Sequence, residues 1–154
     1  FANKDTTSNN GNYSIGIRIA SQLGNNMENS IFAGYNTDKF LIDFGLNREE
    51  VKYKTGKKEA WFSANMHIGA RYKFDENSYF DYGLVGAHSL SEEANDNDGV
   101  EPYEYGTFIG LSWNPTSKLQ MSMKISPYMY TKKFNRKETD SYFHSGSIST
   151  SYIF

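Results

Sequence analysis

An all-β chain closed on itself, an eight-stranded antiparallel up-and-down transmembrane β-barrel, is the fold that this sequence predicts. Three observations lead there. Eight segments alternate apolar with polar or small residues at period two, the mark of strands whose faces meet different surroundings. The connections between them are alternately short and long. The C-terminal run "SISTSYIF" keeps its alternation to the last residue, with Ile148, Thr150, Tyr152 and Phe154 on one face and Ser147, Ser149, Ser151 and Ile153 on the other. A last strand that must pair with the first to close a barrel cannot fray into a tail.

Each strand has its own warrant. "NYSIGIRIA" sets Tyr13, Ile15, Ile17 and Ile19 against Ser14, Gly16 and Arg18. "SIFAGYN" places Ile31, Ala33 and Tyr35 on an apolar face, and "FLIDFGLN" opposes Phe40, Ile42, Phe44 and Leu46 to Asp43, Gly45 and Asn47. The longest, "WFSANMHIGARYKF", alternates Phe62, Ala64, Met66, Ile68, Ala70, Tyr72 and Phe74 with polar or small residues that include His67, Arg71 and Lys73. "YFDYGLVGAHS" opposes Phe80, Tyr82 and Leu84 to Asp81 and Gly83. "YEYGTFIGLSW" opposes Tyr105, Ile109, Leu111 and Trp113 to Glu104, Gly106, Gly110 and Ser112. "LQMSMKISPYM" opposes Leu119, Met121, Met123 and Ile125 to Gln120, Ser122, Lys124 and Ser126, and the C-terminal run is the eighth. The connections "NTDK", "DEN" and "NPTS" are short and built from turn formers. Those near 20–29, 47–60, 89–103 and 131–141 are long and polar.

A soluble barrel of lipocalin type or a sandwich would carry the same alternation with its apolar face inward. The polar face decides for the membrane. It mixes Arg18, Asp43, Arg71, Lys73, Asp81 and Lys124 with Gly and Ser, a set that fills a narrow lumen. Aromatics flank the short turns (Tyr35, Phe40, Tyr72, Phe74, Phe80, Trp113, Tyr152), as an interfacial girdle requires. Alternating runs of about 9–11 residues cross a bilayer when tilted. Ile17, Phe44, Ile68, Leu84, Ile109, Met123 and Ile148 are therefore expected to face lipid. Pro127 is expected at the outer rim, where a lost ladder bond can be solvated.

Composition agrees. Aromatic residues make up 16% of the chain, with 12 Tyr and 11 Phe. With no cysteine, disulfides and thiolate chemistry are excluded, and a net charge of -2 selects no nucleic acid. The chain opens at Phe1 without a Met, which fits a processed, exported chain and equally a trimmed one. Residues 1–11 are expected to form a flexible N-terminal segment and residues 12–154 the barrel domain.

The second half carries a resemblance. "GARYKFDENSYFDYGLVG" followed by "GTFIGLSWNPTSKLQMSMKIS" resembles the Ail/OmpX family of small outer-membrane proteins, over about residues 60–154. The resemblance implies a bacterial outer-membrane barrel with long loops extracellular, short turns periplasmic and a filled lumen. It also implies a non-enzymatic role in adhesion, host interaction or envelope protection that lives in the loops. The Phe154 ending resembles the signal read by the outer-membrane assembly machinery. The last strand departs from the family in being rich in Ser.

Candidate sites follow from these faces. In a barrel of this width interior charges must pair, so Arg18, Asp43, Arg71, Asp81 and Lys124 are expected to form a polar network that plugs the lumen; a narrow pore for small solutes is the alternative. His67 is expected as a hydrogen-bonding lumen residue. A lipid A-modifying enzyme is the remaining class. A lipid A deacylase barrel needs a His and a Ser two apart on one face, but the residue two beyond His144 is Gly146. No catalytic residue, cofactor or metal site is assigned. Loop 47–59 has five bases and three acids, 131–140 has four bases and two acids, and 91–104 has six acids and no base. Lys54, Lys57, Lys58, Lys132, Lys133, Arg136 and Lys137 are therefore candidate ligands for a polyanion, such as lipopolysaccharide phosphates or a host surface glycan. The expected partners are outer-membrane lipid and lipopolysaccharide, a host glycan or protein, and the assembly machinery.

Overall fold

The computed structural model describes residues 11–22, 27–52, 56, 58–90, 103–131 and 139–154. They form β1 (Asn12–Gln22), β2 (Met27–Asn36), β3 (Phe40–Lys52), β4 (Lys58–Asp75), β5 (Ser78–Ser89), β6 (Tyr103–Thr116), β7 (Leu119–Thr131) and β8 (Thr139–Ile153). Every strand pairs antiparallel with its neighbour in sequence, and β8 pairs with β1, so the sheet is a closed barrel. The short turns are tied by their own side chains. Thr37 Oγ1 accepts from the backbone N–H of Lys39 at 3.1 Å and of Phe40 at 3.0 Å, and Asp75 Oδ1 accepts from Glu76 N at 2.7 Å. Side chains that satisfy the freed backbone donors are what make Thr and Asp turn formers.

Closure runs from Ser14↔Ile153 to Gln22↔Ser145, and Phe154 N donates to Tyr13 O at 2.9 Å. A sheet edge in hydrocarbon would leave its N–H and C=O groups without partners, each costing several kcal/mol; this ladder removes the edge. The two faces are inverted relative to a water-soluble protein. Ile17 is 61% exposed, Leu84 61%, Met123 59% and Ile148 59%, whereas Arg18, Asp43 and Asp81 are at most 5% exposed. Burying charges while displaying aliphatics is stable only if the outer solvent is lipid, which rules out the lipocalin-type arrangement. All seven positions expected on the lipid face point outward.

Three features depart from the sequence reading. The walls rise higher than the alternation of apolar residues suggested: β3 continues to Lys52 and pairs with β4 down to Lys52↔Lys58. There polar residues occupy both faces, as Arg48 and Glu49 do, so the segment reads as a loop although its ladder continues. Pro127 lies inside β7, not at its rim. It coincides with a register shift against β6 between Gly106 and Ile109 and against β8 between Ser126 and Tyr128. Against β6 the extra residue is on β7 and against β8 it is on β8; Pro127 has no register partner in either ladder, and the parity of β7 reverses across it. Met129 therefore points inward, where an unbroken strand would have turned it to lipid.

The third departure is that the lumen is not wholly polar. Phe32 and Phe108 are buried in it. Each sits beside a glycine of a nearby strand: a Cβ on Gly16, the register partner of Phe32, would come 2.8 Å from Phe32 Cζ, and one on Gly69 would come 2.9 Å from Phe108 Cζ. These glycines make room for rings.

The inversion of faces has a direct test. Ile68→Arg, on the lipid face of β4, should cost about 2–4 kcal/mol in denaturant unfolding from bilayers. Phe74→Arg, one residue before the turn end of the same strand, should cost only about 0–1 kcal/mol. Equal costs at the two depths would contradict the placement.

Candidate functional site

Alternation sends every second side chain of each strand into the lumen, and at eight strands the lumen is narrow enough for side chains from opposite walls to touch. Arg18 of β1, Asp43 of β3, His67 of β4 and Lys124 of β7 meet there. Arg18 Nη2 donates to Asp43 Oδ2 at 2.9 Å, and Lys124 Nζ lies 3.5 Å from the same oxygen. His67 Nδ1 is 3.1 Å from Asp43 Oδ1 and 3.2 Å from Arg18 Nη1. One carboxylate thus holds two cations, Lys124 from the strand directly across the barrel and Arg18 from a strand two places away. In an interior poorly screened by water this attraction is strong, and it offsets the cost of removing the charges from solvent.

The network continues toward the end with long connections. Arg18 Nη1 donates to Asn65 Oδ1 at 3.4 Å, Asn65 and Ser30 both donate to Asn47 Oδ1, and Asn47 Nδ2 donates to Glu28 Oε2 at 3.4 Å. Toward the short turns lies a second cluster. Arg71 donates to both oxygens of Asp81, from Nε at 2.7 Å and Nη2 at 3.2 Å. Ser112 donates to Asp81 and lies 2.9 Å from Ser122 Oγ. Rings pack among the charges: Arg18 lies 4.4 Å from the centroid of Phe32, Arg71 4.2 Å from Tyr79, and Lys124 5.5 Å from Phe108. At the mouth beside the short turns Tyr79 donates to Asp38 at 2.9 Å, Lys73 pairs with Asp38 at 3.6 Å, and Gln120 bridges Asn36 and Asn114.

The structure therefore brings Arg18, Asp43 and Lys124 into one cluster and Arg71 and Asp81 into another. Between the side chains are spaces of about 60 Å³ around Arg18 and Glu28, about 10 Å³ between Asp43 and Asp81, and about 40 Å³ at the mouth. The smallest is about the volume one water needs. Asn47, Asn65, Ser30, Glu28 and Ser112 belong to the network although the sequence reading did not place them in it. For Asn47, Asn65, Ser30 and Ser112 the signal was the same parity that placed Asp43 and His67, whereas Glu28 read as part of the connection near 20–29. Phe32 and Phe108 carried a weaker signal, since Phe32 sits between Ile31 and Ala33 and Phe108 beside Ile109.

Lys54, Lys57, Lys132, Lys133, Arg136 and Lys137 lie outside the described residues. Lys58 opens β4, but its side chain lies outside them too. Among the described residues no group of three His, Asp or Glu side chains is arranged to hold a metal ion.

No protein-family model matches this chain, and no curated protein does. Solved structures do match. A de novo designed transmembrane β-barrel superposes with a TM-score of 0.60 at 9% identity, covering 93% of this chain and 95% of its own. The outer membrane protein Ail of Yersinia pestis, in a phospholipid bilayer nanodisc, superposes with a TM-score of 0.55 at 14% identity, covering 94% and 100%. Neisserial surface protein A follows at 0.49 and 15% identity, covering 93% and 94%. The chain is thus an eight-stranded transmembrane barrel similar in fold to Ail, over far more of its length than the segments that resemble the Ail/OmpX family in sequence.

Removing one partner of a buried pair strands the other charge, which costs about 3–5 kcal/mol. Asp43→Ala and Asp81→Ala should each destabilise the refolded barrel by that amount in urea titrations. The double variant Arg71→Ala with Asp81→Ala should lose clearly less than the sum of its single changes, because the pair vanishes together. Simple additivity would show that the bidentate contact contributes nothing.

Proposed function

We propose that the chain is a non-catalytic barrel of the bacterial outer membrane whose lumen is a plug and whose binding chemistry lies at the extracellular end, for adhesion, host interaction or envelope protection. The observation that carries this reading is the cross-lumen ion pairing: Arg18, Asp43 and Lys124 join β1, β3 and β7 through the barrel axis. A lumen filled this way supports little transport and leaves the ends as working surfaces. The end with long connections is assigned to the outside because β3 and β4 project there with polar residues on both faces. The basic clusters Lys54, Lys57, Lys58 and Lys132, Lys133, Arg136, Lys137 are proposed to bind a polyanion together, a lipopolysaccharide phosphate or a sulfated host glycan. Exposed charges are screened within about 8 Å at physiological salt, so only the clusters acting jointly would matter.

Two measurements test this. Purified barrel in planar bilayers should show no large, stable conductance; reproducible ion-selective openings altered by Lys124→Ala would favour the narrow pore instead. Retention on immobilised heparin and on lipopolysaccharide vesicles should be salt-sensitive and should fall when all seven bases are changed to Gln. Unchanged retention at low salt would remove the polyanion site.

The exposed Phe154 is proposed to be read by the assembly machinery. Deleting it should leave refolding in vitro nearly intact, since it contributes one backbone bond, to Tyr13, and should lower the amount assembled in cells. Normal assembly of the shortened chain would argue against this role.

A further inference from the structure

The outward face of β6 and β7 is grooved. Midway along the two strands is an apolar groove of about 300 Å³, lined by Phe80, Ile109, Leu111, Met123 and Ile125. The register pair Leu111↔Met123 forms its ridge. On the far side of that ridge a second groove of about 410 Å³ opens toward Ile17 and Thr150. The first groove is itself in the range of sites that bury small molecules, roughly 300–1,000 Å³.

Along the same strands, toward the end with long connections, stands a tier of tyrosines. Tyr105 and Tyr130 are register partners whose rings stack at 5.1 Å and 26°. Tyr103 stacks on Tyr105 at 6.2 Å and 18°, and Tyr128 lies 5.9 Å from Tyr142 of β8. The bulge at Pro127 falls between the tier and the groove. At about 3.3 Å per residue along a strand tilted by about 45°, Tyr105 stands roughly 9 Å above Ile109 and roughly 14 Å above Leu111. Phenol rings with a polar tip belong at the membrane–water interface, and the grooves lie in the hydrocarbon beneath.

We propose that this face seats one glycolipid of the outer leaflet, its sugar-phosphate head on the tyrosine tier and two of its acyl chains in the grooves on either side of the Leu111–Met123 ridge. The proposal rests on the reading that the end with long connections faces outward. Three features choose this occupant. The grooves belong to the lipid-facing band, so a lipid chain already covers them. The tier spans three strands, roughly 10 Å at about 4.8 Å per strand, which suits a disaccharide head better than a single glycerophosphate. Phenol hydroxyls donate to phosphate and sugar oxygens, and aromatic rings present flat surface to sugars. The loop bases play no part in this seat.

The test is native mass spectrometry of the refolded barrel in neutral detergent, with added lipid A or with phosphatidylethanolamine of equal chain length. The wild type should retain one lipid A, at about tenfold higher occupancy than the phospholipid, a difference of about 1.4 kcal/mol. Tyr105→Ala with Tyr130→Ala, which removes the head contacts, and Ile109→Trp, which fills the groove, should each abolish that preference. Phe62→Ala, an outward position on β4, should leave it unchanged. Equal retention of lipid A and phospholipid by the wild type would overturn the proposal, as would retention by the two site variants that matches the wild type. Loss of heparin binding in the seven-base variant with lipid A still retained would separate this seat from the loop clusters.

Discussion

The ladder between β1 and β8 is the constraint on which the rest depends. Inside a bilayer no water satisfies a free backbone group, so the sheet must close or fail. Closure demands that the last strand stay regular to its end, and Phe154 accordingly still bonds to Tyr13. It also demands that any residue unable to donate be taken out of the ladder. Pro127 sits where both ladders of β7 shift, and the shift carries a consequence of its own by reversing the parity of the strand beyond it.

Closing eight strands makes an interior too narrow for bulk water, and the lumen chemistry follows. Charges facing inward must find each other, and Asp43 serves both Arg18 and Lys124, with His67 beside it. Rings fill the space among the charges, and glycines on nearby strands make room for them: Phe32 lies against Gly16 and Phe108 against Gly69. A lumen so filled leaves three surfaces for contact with other molecules, namely the two ends and the lipid-facing wall.

How much of this was legible in the sequence depended on whether a feature is carried by period or by pairing. Period two alone placed Ile17, Phe44, Ile68 and Met123 outward and Arg18, Asp43 and Lys124 inward, because one face must be apolar throughout the membrane. It could not say which charges pair. Arg71 meets Asp81 across a ladder, but Asp43 meets Arg18 and Lys124 through the lumen, and that depends on the stagger of strands far apart in sequence. Period failed where both faces are polar, so β3 beyond Asn47 read as loop. It also failed at Pro127, where one extra residue shifts the count. Phe32 and Phe108 were hidden because an inward ring next to outward apolar residues, Ile31 and Ala33 for the one and Ile109 for the other, reads as a continuous apolar run. The basic residues of the loops belong to segments whose charge pattern carries no period at all.

Neighbouring residues of the closing strand face lipid and plugged lumen by turns. The chain has no cysteine, so single-cysteine spin labels can be introduced without background. Ile148→Cys and Ser149→Cys, labelled and refolded into bilayers, should differ sharply in collisional accessibility. A label at 148 should be open to oxygen dissolved in the membrane and shielded from a water-soluble nickel complex. A label at 149 should be shielded from both. Equal accessibility at the two positions, or free access of the nickel complex to 149, would contradict the barrel register and the filled lumen together.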